Sequence, residues 1–355
     1  MNVEMTYDFP VVSAFTGQET QQRFWKCLYT SAPKKMLNYW VVLPQGLKPA
    51  EVNPVGFPAV GLTNIGRYLT TDTSPYLEVW MGYEHCHWEM NASDWLFKKL
   101  SIMGETVLHR RFVGKASENG MFADVLTIRK HESGDEVISR YTVQKDYNPQ
   151  ESGGNYFLLK VSCASHDYAT LLNDMYVTSV NWDLLHRSNL GMAELLVTVD
   201  LGKSGSFKVP GSWRAKTIAI NRMVIEHTVD NVNYGVINLY FYPVKDFPSA
   251  DSVFDKATER FHQTLDDISL VTNEPESLSN EINDASDSFF QTCSGQVSSE
   301  KDKMRAFYQM YIFRQSSLWC YAELVGRQRN PHDYHFEINK RCMEIILSTI
   351  KIENI

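Results

Sequence analysis

The most restrictive feature of this sequence is a spacing that recurs between its two halves. The tripeptide His-Asp-Tyr occupies residues 166–168 and again 332–334, so the copies are 166 residues apart (332 minus 166). The same distance separates Pro44 from Pro210, and each proline ends a short run of alternating apolar residues. Proline cannot continue the hydrogen-bond ladder of a central strand, so each proline predicts a strand that ends in a turn. Two separate landmarks with one spacing predict an internal repeat.

Two predicted helices extend the match between the halves. Asp94 and Asp251 each stand near the start of a helical apolar pattern that follows an aromatic strand. A carboxylate in the first turn of a helix is favourable beside the free N–H groups there. Each half then continues with antiparallel strands, the His-Asp-Tyr tripeptide and a terminal apolar helix. We therefore expect an α+β protein with two tandem domains, each a twisted, mainly antiparallel sheet packed with helices.

The length of 355 residues accommodates this division. The predicted parts are an N-terminal extension at residues 1–34, a first domain at 35–190 and a second domain at 191–355. The acidic segment from Thr272 to Ser288 is predicted to be a solvated loop inserted in the second domain.

Composition and charge exclude several classes of protein. Apolar residues make up 43% of the chain and charged residues 21%, which is typical of a folded domain rather than a disordered chain. The net charge of −8 argues against a nucleic-acid binder and against docking on anionic membranes. The sequence shows neither a secretory signal nor an apolar run of about 20 residues that could span a bilayer. We expect a cytoplasmic protein.

No motif predicts catalysis, a cofactor or a metal site. The two His-Asp-Tyr tripeptides have no nucleophile in their sequence context, so we interpret each as a structural corner before a helix. In such a corner the aspartate accepts backbone N–H bonds of the coming helix and the tyrosine packs on the core. The stretch Gly202–Ser206 lacks the first glycine of a phosphate loop, and it leads into a strand. His85 and His87 share one face if their strand continues that far, but no third metal ligand lies nearby in sequence. The sequence therefore predicts a non-enzymatic protein.

The order of elements resembles the PsbP/Mog-type superfamily, which includes PsbP of photosystem II, the Ran-binding Mog proteins and small bacterial proteins. The resemblance is carried by the openings Val41–Leu47 and Phe207–Trp213, by the helices with Asp in the first turn and by the apolar terminal helices. It covers residues 35–186 and 195–352, and it implies a PsbP/Mog-like sandwich in each domain.

The bacterial branch of that superfamily includes the Eag-type chaperones of type VI secretion, whose dimers shield apolar helices of toxin effectors. The resemblance implies a cytosolic adaptor or chaperone for a secreted effector, with the two repeats acting as a fused pseudo-dimer. Two alternatives stay open: a structural or scaffold subunit of a secretion or contractile injection apparatus, and an immunity protein whose acidic charge suits a basic toxin. All three bind a protein partner.

Large side chains on the predicted aromatic strands are the candidates for binding that partner. Neighbouring residues of such a strand point to opposite faces of the sheet, and one face could hold a client's apolar helix while the other holds the protein's own helices. The alternative is that the protein's own helices cover both faces. The candidate partner-binding residues are Trp80, Met81, Tyr83, Tyr240, Phe241, Tyr242, Met310, Trp319 and Tyr321.

Overall fold

A computed structural model of the chain describes most of its residues. The described ranges are 7–52, 60–71, 75–112, 122–130, 134–188, 190–202, 205–262, 267–273, 290–299 and 304–352, without the side chains of 112, 122, 258 and 260–305. The predicted acidic loop lies almost entirely outside these ranges.

The chain divides into two compact units, and the boundary falls between Ala193 and Glu194. The predicted boundary lies three residues earlier. The tripeptide Trp88–Met90 is assigned to the second unit. The described part of the predicted extension belongs to the first unit, in which Phe24–Tyr29 forms a paired strand. Over these residues the segment 1–34 is therefore part of the domain and not an addition to it.

The first unit contains two sheets and three helices. In chain order its elements are α1 (Gly17–Arg23), β1 (Phe24–Tyr29), β2 (Tyr39–Pro44), β3 (Leu47–Pro49), β4 (Thr63–Thr70), β5 (Leu77–Cys86), α2 (Ala92–Ile102), β6 (Thr106–Phe112), β7 (Phe122–Lys130), β8 (Glu136–Asn148), β9 (Gly153–Ala164), α3 (Tyr168–Val180) and β10 (Trp182–Leu184). The main sheet has the strand order β3-β4-β5-β9-β8-β7-β6, and a small sheet has the order β1-β2-β10.

The second unit repeats this plan. Its elements are β11 (Leu196–Asp200), β12 (Gly205–Pro210), β13 (Trp213–Ala219), β14 (Arg222–Val229), β15 (Val232–Pro243), α4 (Ala250–His262), β16 (Asp267–Asn273), β17 (Phe290–Ser299), β18 (Met304–Gln315), β19 (Leu318–Gly326), α5 (His335–Thr349) and β20 (Lys351–Ile352). The main sheet has the order β13-β14-β15-β19-β18-β17-β16, and the small sheet has the order β11-β12-β20.

The two units therefore share one topology, strand for strand, and the strand pairs described are antiparallel. The predicted α+β class, with mainly antiparallel sheets and helices, is confirmed. Pro44 ends β2 and Pro210 ends β12, so both prolines hold the same place in the fold, as their spacing predicts. Asp94 and Asp251 both lie in the first turn of their helices, which is also as predicted.

Each His-Asp-Tyr tripeptide lies between the last strand of a main sheet and the following helix. Tyr168 is the first residue of α3 and is buried in the core, and Tyr334 is the residue before α5. The Asp333 carboxylate accepts a hydrogen bond of 3.1 Å from the His335 backbone N–H, which confirms the predicted role of this aspartate. Asp167 caps no backbone N–H of α3, so the same prediction is wrong for the first copy.

In the first unit both faces of the main sheet carry buried side chains. Along β5, Leu77, Val79 and Met81 face α3 and the small sheet and form one core. The residues between them face the side on which α2 lies. There the Trp95 ring of α2 stacks on Tyr156 of β9 with a centroid distance of 5.4 Å. Period-2 alternation of the strands thus gives two cores, one on each face.

In the second unit, α4 lies against one face of the main sheet. Ala250, Val253 and Ala257 of α4 form a core with aromatic and aliphatic side chains of β15, β18 and β19. The terminal helix α5 is also apolar on one face, where Ile338, Cys342 and Ile346 are almost fully buried. That face is the one that its sequence periodicity predicts.

Candidate partner-binding surface

Exposure divides the nine predicted partner-binding residues into two groups. Five lie in the cores of their units: Met81, Tyr240, Met310, Trp319 and Tyr321. Four are half-buried: Trp80, Tyr83, Phe241 and Tyr242. These five residues pack inside their own units, which is the alternative that the sequence left open. Partner binding stays a prediction, and it is the half-buried aromatic residues that offer a surface for it.

In the first unit, Trp80 is part of a half-buried group on the α2 side of the sheet. Arg67 of β4 is directly opposite Trp80 of β5, and its guanidinium carbon lies 4.5 Å from the centroid of the indole ring. The same guanidinium donates two hydrogen bonds, of 2.8 and 2.9 Å, to the carboxylate of Glu78. The carboxylate fixes the guanidinium plane against the ring, which favours a cation–π contact.

The second unit has a corresponding group on the same pair of strands. Arg222 of β14 is opposite Tyr240 of β15, and its guanidinium carbon lies 5.2 Å from the centroid of the phenol ring. Arg222 also donates a hydrogen bond of 3.3 Å to the side-chain oxygen of Asn238. Asn238 precedes Tyr240 by two residues, just as Glu78 precedes Trp80. An arginine, an aromatic ring and a hydrogen-bond acceptor therefore recur on the corresponding pair of strands.

The strand register places the two groups on corresponding strands, with different neighbours on the third strand. Trp80 is opposite Lys160 of β9 on its other side, and Tyr240 is opposite Tyr321 of β19. The two arginines were missed by sequence reasoning, because only the register between neighbouring strands shows which side chain stands over an aromatic ring.

A buried charged cluster lies beside Trp80 in the first unit. The carboxylate of Glu105 accepts hydrogen bonds of 2.7 Å from the Tyr141 hydroxyl and from the Thr127 hydroxyl. The Lys160 ammonium lies 3.9 Å from the same carboxylate. Burial lowers the pKa of Lys160, and burial together with the Glu105 carboxylate raises the pKa of Tyr141 well above its usual range. The cluster pairs opposite charges inside the unit and thereby stabilises the ammonium.

The corresponding region of the second unit is aromatic instead of cationic. The Tyr308 and Tyr321 hydroxyls are 2.7 Å apart, and the Tyr321 hydroxyl donates a hydrogen bond of 2.6 Å to the Glu323 carboxylate. Burial and the Glu323 carboxylate raise the pKa of Tyr321. Beside the aromatic ring of its arginine pair, the second unit thus has a tyrosine hydroxyl, whereas the first unit has the Lys160 ammonium.

Of the other half-buried candidates, only Tyr242 lies beside an arginine pair, since its ring stacks on Tyr240 with a centroid distance of 6.2 Å. Tyr83 lies on the α3 side of its sheet and stacks on Phe157 with a centroid distance of 6.0 Å. Tyr242 lies on the α4 side, where its ring centroid is 4.8 Å from that of Phe247. Phe241 points to the face opposite Tyr242, because the two are neighbours on one strand. The predicted residues are therefore distributed over both faces of each sheet.

The structure brings His85 and His87 together. Their rings are 4.9 Å apart, His85 contacts the side-chain oxygen of Asn155 at 3.0 Å, and a Glu151 oxygen lies 3.6 Å from the same imidazole. Within the described ranges no group of three or more histidine, cysteine or acidic side chains is arranged to hold a metal ion.

The remaining sequence motifs have simple positions in the fold. Gly205 begins strand β12, so the glycine-rich stretch does lead into a strand, although residues 203 and 204 lie outside the description. His166 is largely exposed, and its nearest charged neighbour is Asp167 at 3.7 Å. Among the helices that are described, none is long and apolar enough to cross a membrane.

Comparison with known proteins assigns this chain to no family. No model of a known protein family matches the sequence, and no curated protein matches it either.

Proposed function

We propose that the protein is a non-enzymatic binding protein, an adaptor or chaperone that holds an apolar helical segment of a secreted effector. The observation that carries this proposal is an arginine–aromatic pair on the corresponding strands of each unit. In the first unit Arg67 lies over the half-buried Trp80, and in the second the half-buried Arg222 lies over Tyr240, which belongs to the core. The two PsbP/Mog-like repeats would act as a fused pseudo-dimer, each offering the strip of its main sheet around this pair.

The exposure of these strips supports the proposal. Helix α2 packs against β6, β7 and β8, and Arg67, Glu78 and Trp80 of β4 and β5 remain half-exposed on the same side of the sheet. An apolar helix that lay on this strip would cover the indole ring, while the guanidinium could donate to polar groups at its edge. In the second unit the β13–β14 hairpin adds Ile218, 55% exposed, and the fully exposed Ile220.

The test is a binding measurement with a defined helical probe. The probe is a fluorescein-labelled peptide of about 20 alanine and leucine residues with lysines at both ends. We expect Trp80→Ala and Arg222→Ala each to weaken binding about tenfold, the effect of losing an anchor worth about 1.4 kcal/mol. Fluorescence anisotropy gives the dissociation constants, and far-UV circular dichroism checks the fold of each variant.

Trp40→Ala is the matched control. Trp40 is also half-buried and also carries a cation, since the Lys26 ammonium lies 3.9 Å above its ring, but it belongs to the small sheet. The control should bind the probe as the wild type does. Equal affinity of wild type, Trp80→Ala and Arg222→Ala, or no binding at all, would contradict the proposal.

An immunity role is a second candidate, and the net charge of −8 favours it. A basic toxin would bind through complementary charge, so raising the salt concentration from low to physiological should weaken that complex strongly. Binding of the apolar probe should change little with salt. The scaffold alternative predicts co-purification in complexes of fixed stoichiometry.

A further inference from the structure

The segment of residues 7–12 lies in a groove of the first unit without joining any strand or helix. We call it the strap. The groove is formed by side chains of three elements, β6, β8 and α3: His109, Arg111, Arg140, Tyr168 and Tyr176. These side chains lie on the α3 side of the sheet, whereas Trp80 lies on the α2 side. The groove is thus separate from the surface proposed above.

Five side-chain donors bind four carbonyl oxygens of the strap, and Arg111 shares the carbonyl of residue 11 at 3.4 Å. His109 donates to the carbonyl of Tyr7 at 2.8 Å, and the Tyr168 hydroxyl donates to that of Asp8. Arg140 donates to the carbonyl of residue 10 at 2.9 Å, and the Tyr176 hydroxyl to that of residue 11 at 2.8 Å. Every chain has backbone carbonyls, so these bonds recognise an extended backbone rather than a particular sequence.

Sequence selectivity comes from two aromatic side chains of the strap. The Phe9 ring stacks on the His109 imidazole, with centroids 5.6 Å apart, and the Arg140 guanidinium carbon lies 4.4 Å from the Phe9 centroid. The Tyr7 ring makes an edge contact with Tyr168 at 5.7 Å. Pro10 follows Phe9 and restricts it to an extended backbone. The groove therefore accepts the pattern aromatic–any–aromatic–proline.

The groove is rigid and the strap is not deeply buried. Arg140 is almost fully buried and binds the carboxylate of Asp124 through two hydrogen bonds, of 2.7 and 2.9 Å. Arg111 donates to the same carboxylate at 2.8 Å. By contrast, Val12 of the strap is 73% exposed and Val11 is 47% exposed. A surface segment with few buried contacts can open without unfolding the unit beneath it.

We propose that this groove is a binding site for an extended peptide of a partner protein with the pattern aromatic–any–aromatic–proline. The strap is the intramolecular competitor for this site. The chemistry of the groove fits such a partner, because its guanidinium, imidazole and hydroxyl groups supply donors to the acceptors of a peptide backbone. A strap tethered through the same chain has a high effective concentration, so it keeps the groove closed to weak peptides.

The experiment uses the full-length protein and a fluorescein-labelled peptide YDFPVVS, the sequence of residues 7–13. Phe9→Ala and Tyr7→Ala in the protein weaken the tethered competitor, so each variant should bind the peptide about tenfold more tightly than the wild type. Phe15→Ala is the control, because Phe15 stacks near Phe24 and Arg23 outside the groove. It should leave the affinity unchanged.

Further variants test the groove side of the contact. Tyr176→Phe, combined with Phe9→Ala, removes one hydroxyl donor and keeps the ring beside Arg140, so it should weaken peptide binding several-fold, as loss of one hydrogen bond does. Trp80→Ala should leave peptide binding unchanged, which separates this site from the proposed function. A peptide in which alanine replaces phenylalanine should not bind.

Three results would overturn the proposal. One is that folded Phe9→Ala and Tyr7→Ala proteins bind the peptide no better than the wild type. Another is that Tyr176→Phe has no effect on binding. The third is a wild-type dimer that the peptide dissociates, because the groove would then hold the strap of a second copy and not a foreign partner.

Discussion

His227 of the second unit should make this protein less stable in mild acid. The imidazole is fully buried, and within the described residues neither ring nitrogen has a hydrogen-bond partner. Aromatic rings surround it: Trp213 stacks on it at 5.1 Å, and Trp88 and Tyr234 lie 5.8 and 6.3 Å away. An apolar environment without an acceptor disfavours the imidazolium ion.

A neighbouring titratable group, His335, acts in the same direction. The His335 ring lies 5.9 Å from His227 and stacks on Tyr234, over which the Arg327 guanidinium lies at 4.2 Å. Burial first, and then His335, lowers the pKa of His227 from its ordinary value of 6.5 to about 4. The folded protein therefore keeps this imidazole neutral at a pH where the unfolded chain protonates it.

The size of the effect follows from the two pKa values. The unfolded state binds a proton near pH 6.5 and the folded state only near pH 4, so stability is full above pH 6.5 and falls as the pH decreases towards 4. Each pKa unit corresponds to about 1.36 kcal/mol, so the loss is about 2 kcal/mol at pH 5 and about 3 kcal/mol at pH 4. Below the folded pKa the loss becomes constant.

The perturbation is His227→Phe, which removes the titrating group and both unpartnered nitrogens. Urea unfolding of wild type and variant at pH 7.5 and pH 5 gives the difference in stability at each pH. We expect the variant to be at least as stable at pH 7.5, because an unsatisfied buried polar group is unfavourable. At pH 5 its advantage should grow by about 2 kcal/mol, and side-chain NMR of the wild type should show the His227 imidazole titrating near pH 4.

A matched control is His166→Phe, since His166 is largely exposed. This control should retain the pH dependence of the wild type. The reasoning is refuted if the stability difference between His227→Phe and wild type is the same at pH 7.5 and pH 5, or if the His227 imidazole titrates near pH 6.5.

Two further substitutions test packing in the second unit. Glu89→Gln should lower its unfolding free energy by about 3 kcal/mol, because the buried Arg341 guanidinium, 3.0 Å from the Glu89 carboxylate, loses its closest countercharge. Urea unfolding measures this loss of stability, and Glu259→Gln is the control, because the exposed Glu259 should contribute little to the unfolding free energy. A loss no larger for Glu89→Gln than for Glu259→Gln would contradict the prediction. Gly235→Ala should lower the unfolding free energy by about 1–3 kcal/mol in the same assay, because a Cβ at residue 235 would overlap the buried side-chain amide of Asn339 on α5. An unchanged urea midpoint would contradict this prediction, because it would mean that α5 shifts without cost.

Sequence reasoning succeeded where local chemistry decides the structure. Pro44 and Pro210 end their strands because proline lacks the N–H that a ladder needs, and this holds in any context. The terminal helix α5 follows from its apolar periodicity, which the buried Ile346 confirms. Such signals are contained in a few neighbouring residues, so one sequence suffices to find them.

Sequence reasoning failed where long-range pairing decides. Strand β1 was assigned to an extension, because only its pairing with β2, ten residues beyond its end, shows that it belongs to the small sheet. Met310 was proposed to bind a partner, yet it is fully buried beneath α4. Alternation tells which side chains share a face, but not which faces the helices will cover. The contacts of Arg67 and Arg222 with aromatic rings are not predictable from the sequence for a related reason. The register between two strands depends on both of them, so neither strand alone shows which residues lie opposite each other.

The comparison of Lys160 with Tyr321 indicates how two similar units could bind one asymmetric partner. Both residues stand opposite the aromatic member of an arginine pair, but one brings an ammonium held by Glu105 and the other a hydroxyl held by Glu323. A dimer of identical chains would present the same chemistry twice. A fused pair is free to differ, and here the difference lies directly beside the proposed contact. We therefore expect the two strips to prefer different segments of a partner, so that Trp80→Ala and Arg222→Ala weaken the binding of different peptides from one client.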